Sequence, residues 1–234
     1  MAQKSWRYTN KEKTIITGFD RILLDEFHFL ENHRQLSEKS INETIKSFKE
    51  RVNENVKHME HDQRDLYQDN IYDEYIRTNE ILPRIQWYSQ YLIVYSTFEH
   101  ILNELCKIVQ RRSSFNLSFK DINGSGIERS KNYLTKVAGV KNPFQEPSWE
   151  RAKLLSKIRN KITHNNGEIV LTPNNNKDLG TQLAKEKYLE LNKIIPEDNY
   201  AQIVLSSEFI RNSISELSKV LYNIGNYELY SDES

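Results

Sequence analysis

The segment from Pro83 to Arg112, PRIQWYSQYLIVYSTFEHILNELCKIVQRR, limits the fold more than any other part of the sequence. Two apolar stripes run along it at helical spacing. One is Trp87, Tyr91, Val94, Phe98, Ile101, Leu105 and Ile108; beside it run Ile85, Tyr88, Leu92, Tyr95, Leu102, Cys106 and Val109. A helix that is apolar over so much of its circumference has to be surrounded by other elements, so it is expected at the centre of a bundle. Pro83 suits its first turn, where a missing N–H costs nothing. One charge interrupts the second stripe: Glu99, between Tyr95 and Leu102. A carboxylate on that face needs a partner or a wet cleft, because burying it alone costs on the order of several kcal/mol.

The remaining segments fit a helical bundle. TIITGFDRILLDEFHFLENH places Ile15, Phe19, Ile22, Leu23, Phe27 and Leu30 on one helical face. After RQLSEKS a strongly charged stretch to about Asn79 carries a narrow stripe of Ile41, Ile45, Phe48, Val52, Val56 and Met59, continued more weakly by Leu66. Such a stripe suits a helical arm that packs on one side only or meets a partner. A short helix is expected near Ile127–Ala138 with Gly139 as its stop. The next helix, SWERAKLLSKIRNKITH, buries Trp149, Leu154, Leu155, Ile158 and Ile162. EIVL (168–171) and QIVL (202–205) are short β-like runs able to pair as a two-stranded ribbon. The last helix, capped by Ser206 or Ser207, turns Ile210, Ile214, Leu217, Leu221 and Ile224 inward.

A chain of 234 residues can bury one core. Seven Gly and five Pro are few, and the abundance of Leu, Ile, Lys and Glu favours helices. The expected fold is therefore mainly α, with N-terminal helices and the charged arm over 1–80 packed on a helical bundle over 81–234. The 33 basic and 33 acidic residues cancel, which excludes a polybasic coat protein and requires any attraction to nucleic acid to be local. Cys106 is the only cysteine, so no intrachain disulfide forms. The start, MAQKSWRYTNKEK, lacks the apolar core of a secretory signal, and no run approaches membrane-spanning length. A cytoplasmic protein without a membrane partner is expected.

The chemistry-bearing residues cluster in KIRNKITHNNG (157–167). Arg159 and Asn160 are followed by His164 where an apolar helical pattern runs into an Asn-rich loop. Chance would produce Arg-Asn with His at that spacing roughly 0.03 times in such a chain. Arg151, Lys153, Lys157 and Lys161 surround the pair, with no acidic residue from Arg151 to Gly167. The structural alternative makes the cations a solvated flank and His164 a C-terminal cap favoured by the helix dipole. His58 and His61, read as three apart on one helix, give two ligands without a third, so no metal site is expected. NGSGIERS lacks the lysine of a phosphate-binding loop and reads as a turn. Cys106 belongs to the apolar face, and His100, adjacent to Glu99, diverges from it around the helix.

RNKITH (Arg159–His164) and the helix YLIVYSTFEHILNELC (Tyr91–Cys106) resemble the HEPN superfamily, named for higher eukaryotes and prokaryotes nucleotide-binding. Its ribonuclease members are helical bundles carrying Arg, four to six residues, then His, often with Asn after the Arg. The similarity covers roughly residues 81–226 and is nearest to bacterial groups associated with toxin and phage-defence loci. The resemblance implies a metal-independent endoribonuclease needing no cofactor. RNA supplies its own nucleophile, the 2′-hydroxyl; His164 would serve as acid/base, since imidazole ordinarily titrates near neutrality. Arg159 would clamp the phosphate bidentately, Asn160 would orient His or phosphate, and Glu99 would hold Arg159. Lys153, Lys157, Lys161 and Asn165 would bind RNA. The resemblance further implies a homodimer joining two such motifs in one cleft, and an antitoxin or regulatory protein is a further expected partner. The alternative is a non-catalytic HEPN-like module binding nucleotide, RNA or protein.

Overall fold

The computed structural model describes residues 10–112, 117–171, 178–193 and 199–230, with side chains for 25–111, 117–171, 178–193 and 199–225. The expected positions Ile15, Phe19, Ile22 and Leu23 fall on a helical stretch whose side chains lie outside those described. Among the described residues, the fold is mainly α. The helices are α1 (Asn10–Val56), α2 (His61–Ile76), α3 (Leu82–Arg112), α4 (Gly126–Lys136), α5 (Pro147–Asn165), α6 (Leu179–Leu183) and α7 (Ser207–Tyr230). A small antiparallel sheet is built from β1 (Glu168–Val170), β2 (Leu189–Lys193) and β3 (Tyr200–Leu205).

The chain forms two compact units. One takes in Met1–Leu30, Leu92–Lys161 and Asn212–Ser234, the other Glu31–Tyr91 and Ile162–Arg211. In the first, the α3 face expected at a bundle centre is buried: Val94, Tyr95, Phe98, Leu102, Cys106 and Val109 are almost fully covered. Trp149, Leu155 and Ile158 of α5 are fully buried as well, and Phe144 meets Trp149 edge-on at 4.8 Å between ring centres. Gly139 (φ +78°) follows α4, where a left-handed residue ends a helix at little cost.

In the second unit the expected break at RQLSEKS is absent, and α1 runs through it. That stretch contains neither Gly nor Pro, and its polar residues are themselves anchored. Arg34, 4% exposed, donates to Glu31 at 2.6 and 2.9 Å, to Glu38 at 2.8 Å and to the Ser207 hydroxyl. Ser37 Oγ accepts from Gln86 Nε2 at 2.9 Å. Arg34 holds the Glu31 carboxyl below the usual carboxylate range, so this contribution is complete above that range and is lost as pH falls through the lowered pKa. Arg34→Ala removes the charge-assisted bonds and leaves two carboxylates facing each other. It should cost about 2–3 kcal/mol in urea unfolding at neutral pH; an unchanged midpoint contradicts this account of the anchor.

Pro83 falls in the first turn of α3 as expected, while the expectations at Leu66, Ile85 and His58 need correction. Pro83 stands at the second position, yet the chain never leaves the helical conformation. A π-helical turn, Arg77–Ile81, precedes it, with the Leu82 N–H bonded to Arg77 O. The wider turn removes the need for the bond that proline cannot donate. Leu66 (67% exposed) does not continue the arm's stripe, and Ile85 (56% exposed) does not join its face of α3. His58 lies in the turn between α1 and α2, not on one helix with His61; among the described residues no three or more His, Cys, Asp or Glu side chains come together as metal ligands would.

The two β-like runs do lie on adjacent strands, but they face each other only at Glu168 and Gln202: β1 pairs with Tyr200–Gln202, and Ile203–Leu205 pair with β2 instead. A third strand, β2, not apparent from the sequence pattern, completes the order β1-β3-β2 with Leu189 opposite Leu205 and Leu191 opposite Ile203. Ser206, not Ser207, caps α7, its Oγ accepting from Phe209 N–H at 3.2 Å. Ser207 is occupied by Arg34. No helix among the described residues is long and apolar enough to cross a membrane.

Candidate functional site

Glu99 has the partner that its place on an apolar face demands. Its Oε2 accepts from Arg159 Nη2 at 2.7 Å, joining α3 to α5 within one unit. The Arg159 guanidinium also lies 5.3 Å from the Tyr95 ring centre, one helical turn before Glu99, and Arg159 Nη1 donates to Asn160 Oδ1 at 2.9 Å. Carboxylate, aromatic face and amide together fix the fork in direction. The side chains of Arg159 and Glu99 are 27% and 22% exposed, so the fork is held firmly while an anion from solvent can reach it. Asn160, exposed, orients Arg159 through this bond.

Gly126 belongs to the same constellation, although NGSGIERS reads in the sequence only as a turn. It opens α4 at φ +54°, and a Cβ there would lie 3.3 Å from Glu99 Oε1. The partial positive charge of a helix start favours a carboxylate so close to it. The readable signal was a Gly-Ser-Gly immediately before a helical pattern, which marks a backbone that something approaches closely.

Tyr95 is 1% exposed. Burial, only partly offset by the Ser156 hydroxyl and Arg159, pushes its phenol up to about 12. The phenol therefore stays protonated far above neutrality. In the unfolded chain it titrates near 10, so between those values the fold binds the extra proton and stability falls as pH rises. By pH 11.5 the wild type should have lost about 2 kcal/mol more, relative to pH 9, than Tyr95→Phe. Urea unfolding at both pH values checks this; parallel losses contradict it.

The basic surface is smaller than the sequence implied. Arg151 pairs with Glu216 at 2.8 Å and Lys153 with the exposed Glu150 at 2.8 Å. Lys157 is exposed and Lys161 half-buried.

His164 and Asn165 close α5, both exposed. The turn after them is fixed within the second unit. Asn166 (φ 49°) and Gly167 (φ 79°) reverse the chain into β1. Gln202 Nε2 donates to Asn166 O at 2.6 Å and to Tyr88 Oη at 2.8 Å, and Tyr88 Oη donates to Ile203 O. This clamp was not foreseen, because it joins residues far apart in sequence. On a regular helix residues five apart, as Arg159 and His164 are along α5, differ by about 140° in direction and about 7.5 Å in height.

Glu99→Ala should cost about 1–3 kcal/mol of stability, whereas Glu99→Gln keeps the packing and loses the charge. If Arg159 acts on phosphate, cleavage should fall on the order of 10- to 100-fold in both, checked by kinetics beside thermal unfolding. Unchanged values for Glu99→Ala contradict the clamp.

Compared with protein-family models, curated proteins and solved structures, the chain matches none.

Proposed function

We propose that this chain is a metal-independent endoribonuclease of HEPN type, acting as a homodimer and serving as a toxin or antiviral-defence effector in the cytoplasm. One observation carries the reading: a guanidinium fixed by Glu99, Tyr95 and Asn160 yet open to solvent, on the helix that ends with an exposed His164. Arg159 is pre-oriented for two phosphate oxygens, and His164 exchanges protons. The base takes the proton of the ribose 2′-hydroxyl and the oxygen attacks phosphorus. The bond to the 5′-oxygen breaks, and an acid protonates that oxygen. The products are a 2′,3′-cyclic phosphate and a 5′-hydroxyl. One His cannot serve both ends of a phosphate at once, which favours two copies of the motif in one cleft, flanked by Lys157, Lys161 and Asn165.

The second reading, a non-catalytic module binding RNA, nucleotide or protein, draws on the charge balance. Three of the five Lys and Arg residues of α5 are paired with carboxylates, which weakens an electrostatic groove. The test is purified protein with total cellular RNA and a chelator, beside His164→Ala and a DNA of equal length. Cleavage of RNA alone, lost in the variant, supports the ribonuclease; RNA binding without cleavage favours the module.

A further inference from the structure

α2 carries Leu66, Tyr67, Ile71, Tyr72, Tyr75 and Ile76, yet none of its residues is buried. It lies along α1, tied by Arg51 to Glu74, by Asn55 to Tyr67 at 2.7 Å and by the Phe48 and Tyr75 rings at 6.4 Å. Gln63 Oε1 accepts from the Glu60 N–H at 3.2 Å and secures the helix start. Between the two helices is an open groove of about 400 Å³ with Phe48, Val52, Ile71, Tyr72 and Tyr75 in its walls. Tyr72 is 61% and Tyr75 46% exposed. An apolar groove on a helix with no buried side chain is a surface that association would complete.

The two edges differ in charge. α2 bears Asp62, Asp65, Asp69, Asp73 and Glu74 against Arg64 alone. Glu74 is used by Arg51, and Asp62 and Asp65 share only His61; Asp73 reaches Arg77 at 4.0 Å, and Asp69 has no ion pair among the described residues. On the α1 edge stands Lys49. The hairpin already contains one example of the recognition such walls provide. Arg51 lies 5.3 Å from the Phe48 ring centre while pairing with Glu74, a cation held by an aromatic face and a carboxylate together. Asp69 and Tyr72, three apart on α2 and therefore neighbours on its surface, offer the same combination outward.

We propose that the α1–α2 groove docks a basic amphipathic segment of another protein. Its apolar side chains enter between Phe48, Val52, Ile71 and Tyr75, and its arginines or lysines lie over Tyr72 and the aspartates of α2. A polar or acidic residue of that segment faces Lys49. None of these residues belongs to the Arg159 constellation, so the inference does not depend on the ribonuclease reading.

The test is selection of peptides from a random displayed library on the immobilised full chain, with counter-selection on the Asp69→Lys/Tyr72→Ala variant. Circular dichroism and the urea midpoint show whether that variant keeps the fold; if it does not, Asp65→Asn/Asp69→Asn replaces it. Retained sequences should combine arginine or lysine with Leu, Ile or Phe at helical spacing. A synthetic peptide of the consensus should lose at least about tenfold in affinity on the variant, and should weaken as salt rises. No enrichment over the variant, or enrichment of acidic or uncharged sequences, overturns the proposal. So does a wild type that self-associates through this face and becomes monomeric in the variant, since the occupant is then a second copy.

Discussion

On the proposed ribonuclease reading, RNA cleavage should fall by about 10² to 10⁴ in His164→Ala, the range expected when a proton-transfer group is removed. It falls by about 10² to 10³ in Arg159→Ala, the range for loss of one electrostatic stabiliser of the transition state. The two variants should differ in stability. His164 is exposed at the end of α5, so its truncation leaves the fold intact. Arg159 is held by Glu99 and Tyr95, so its removal leaves a half-buried carboxylate without its partner and costs about 1–3 kcal/mol. Single-turnover cleavage and urea unfolding of the same preparations separate the two effects. Expression in bacteria should be tolerated for both variants and toxic for the wild type. A folded His164→Ala that cuts as fast as wild type removes the catalytic reading.

Gly167→Ala should be among the most damaging of the glycine-to-alanine changes at described positions. A Cβ at Gly167 would lie 2.0 Å from Tyr88 Oη and 2.8 Å from Gln202 Nε2, both already fixed by hydrogen bonds. Gly139 is the control, for it has nearly the same φ, +78° against +79°, and nothing within 4 Å. Gly139→Ala should cost about 1–2 kcal/mol for the left-handed backbone alone. Gly167→Ala adds the clash and should reach about 3–5 kcal/mol, a large share of a domain's stability. Urea midpoints of the two variants test this, and equal losses contradict it.

The legible parts of this protein are those where one residue's physics suffices. The double stripe of α3 could only be central, and Tyr95, Phe98 and Leu102 are buried accordingly. Glu99 on that face called for a partner or a wet cleft, and Arg159 is its partner. Other features depend on distant partners. Nothing local shows that Arg151 is balanced by Glu216 or that Gln202 reaches back to Asn166. β2 was hidden because LELNK offers only two alternating leucines, too few to separate a strand from a loop. The stretch RQLSEKS resembles a break in its polarity, but it lacks the Gly or Pro that would end a helix, and α1 runs through it. The pairing of Lys153 with Glu150 was within reach, three residues apart on one helix.

The most direct test of the central claim is the chemistry of the cut ends. An RNA oligonucleotide that the protein cleaves, digested in the presence of chelator, should yield a 2′,3′-cyclic phosphate and a 5′-hydroxyl. The same oligonucleotide with a 2′-deoxy residue at the cleaved position should stay whole. A 5′-phosphate product, or cutting at the deoxy position, would contradict attack by the 2′-hydroxyl and with it the roles given to Arg159 and His164.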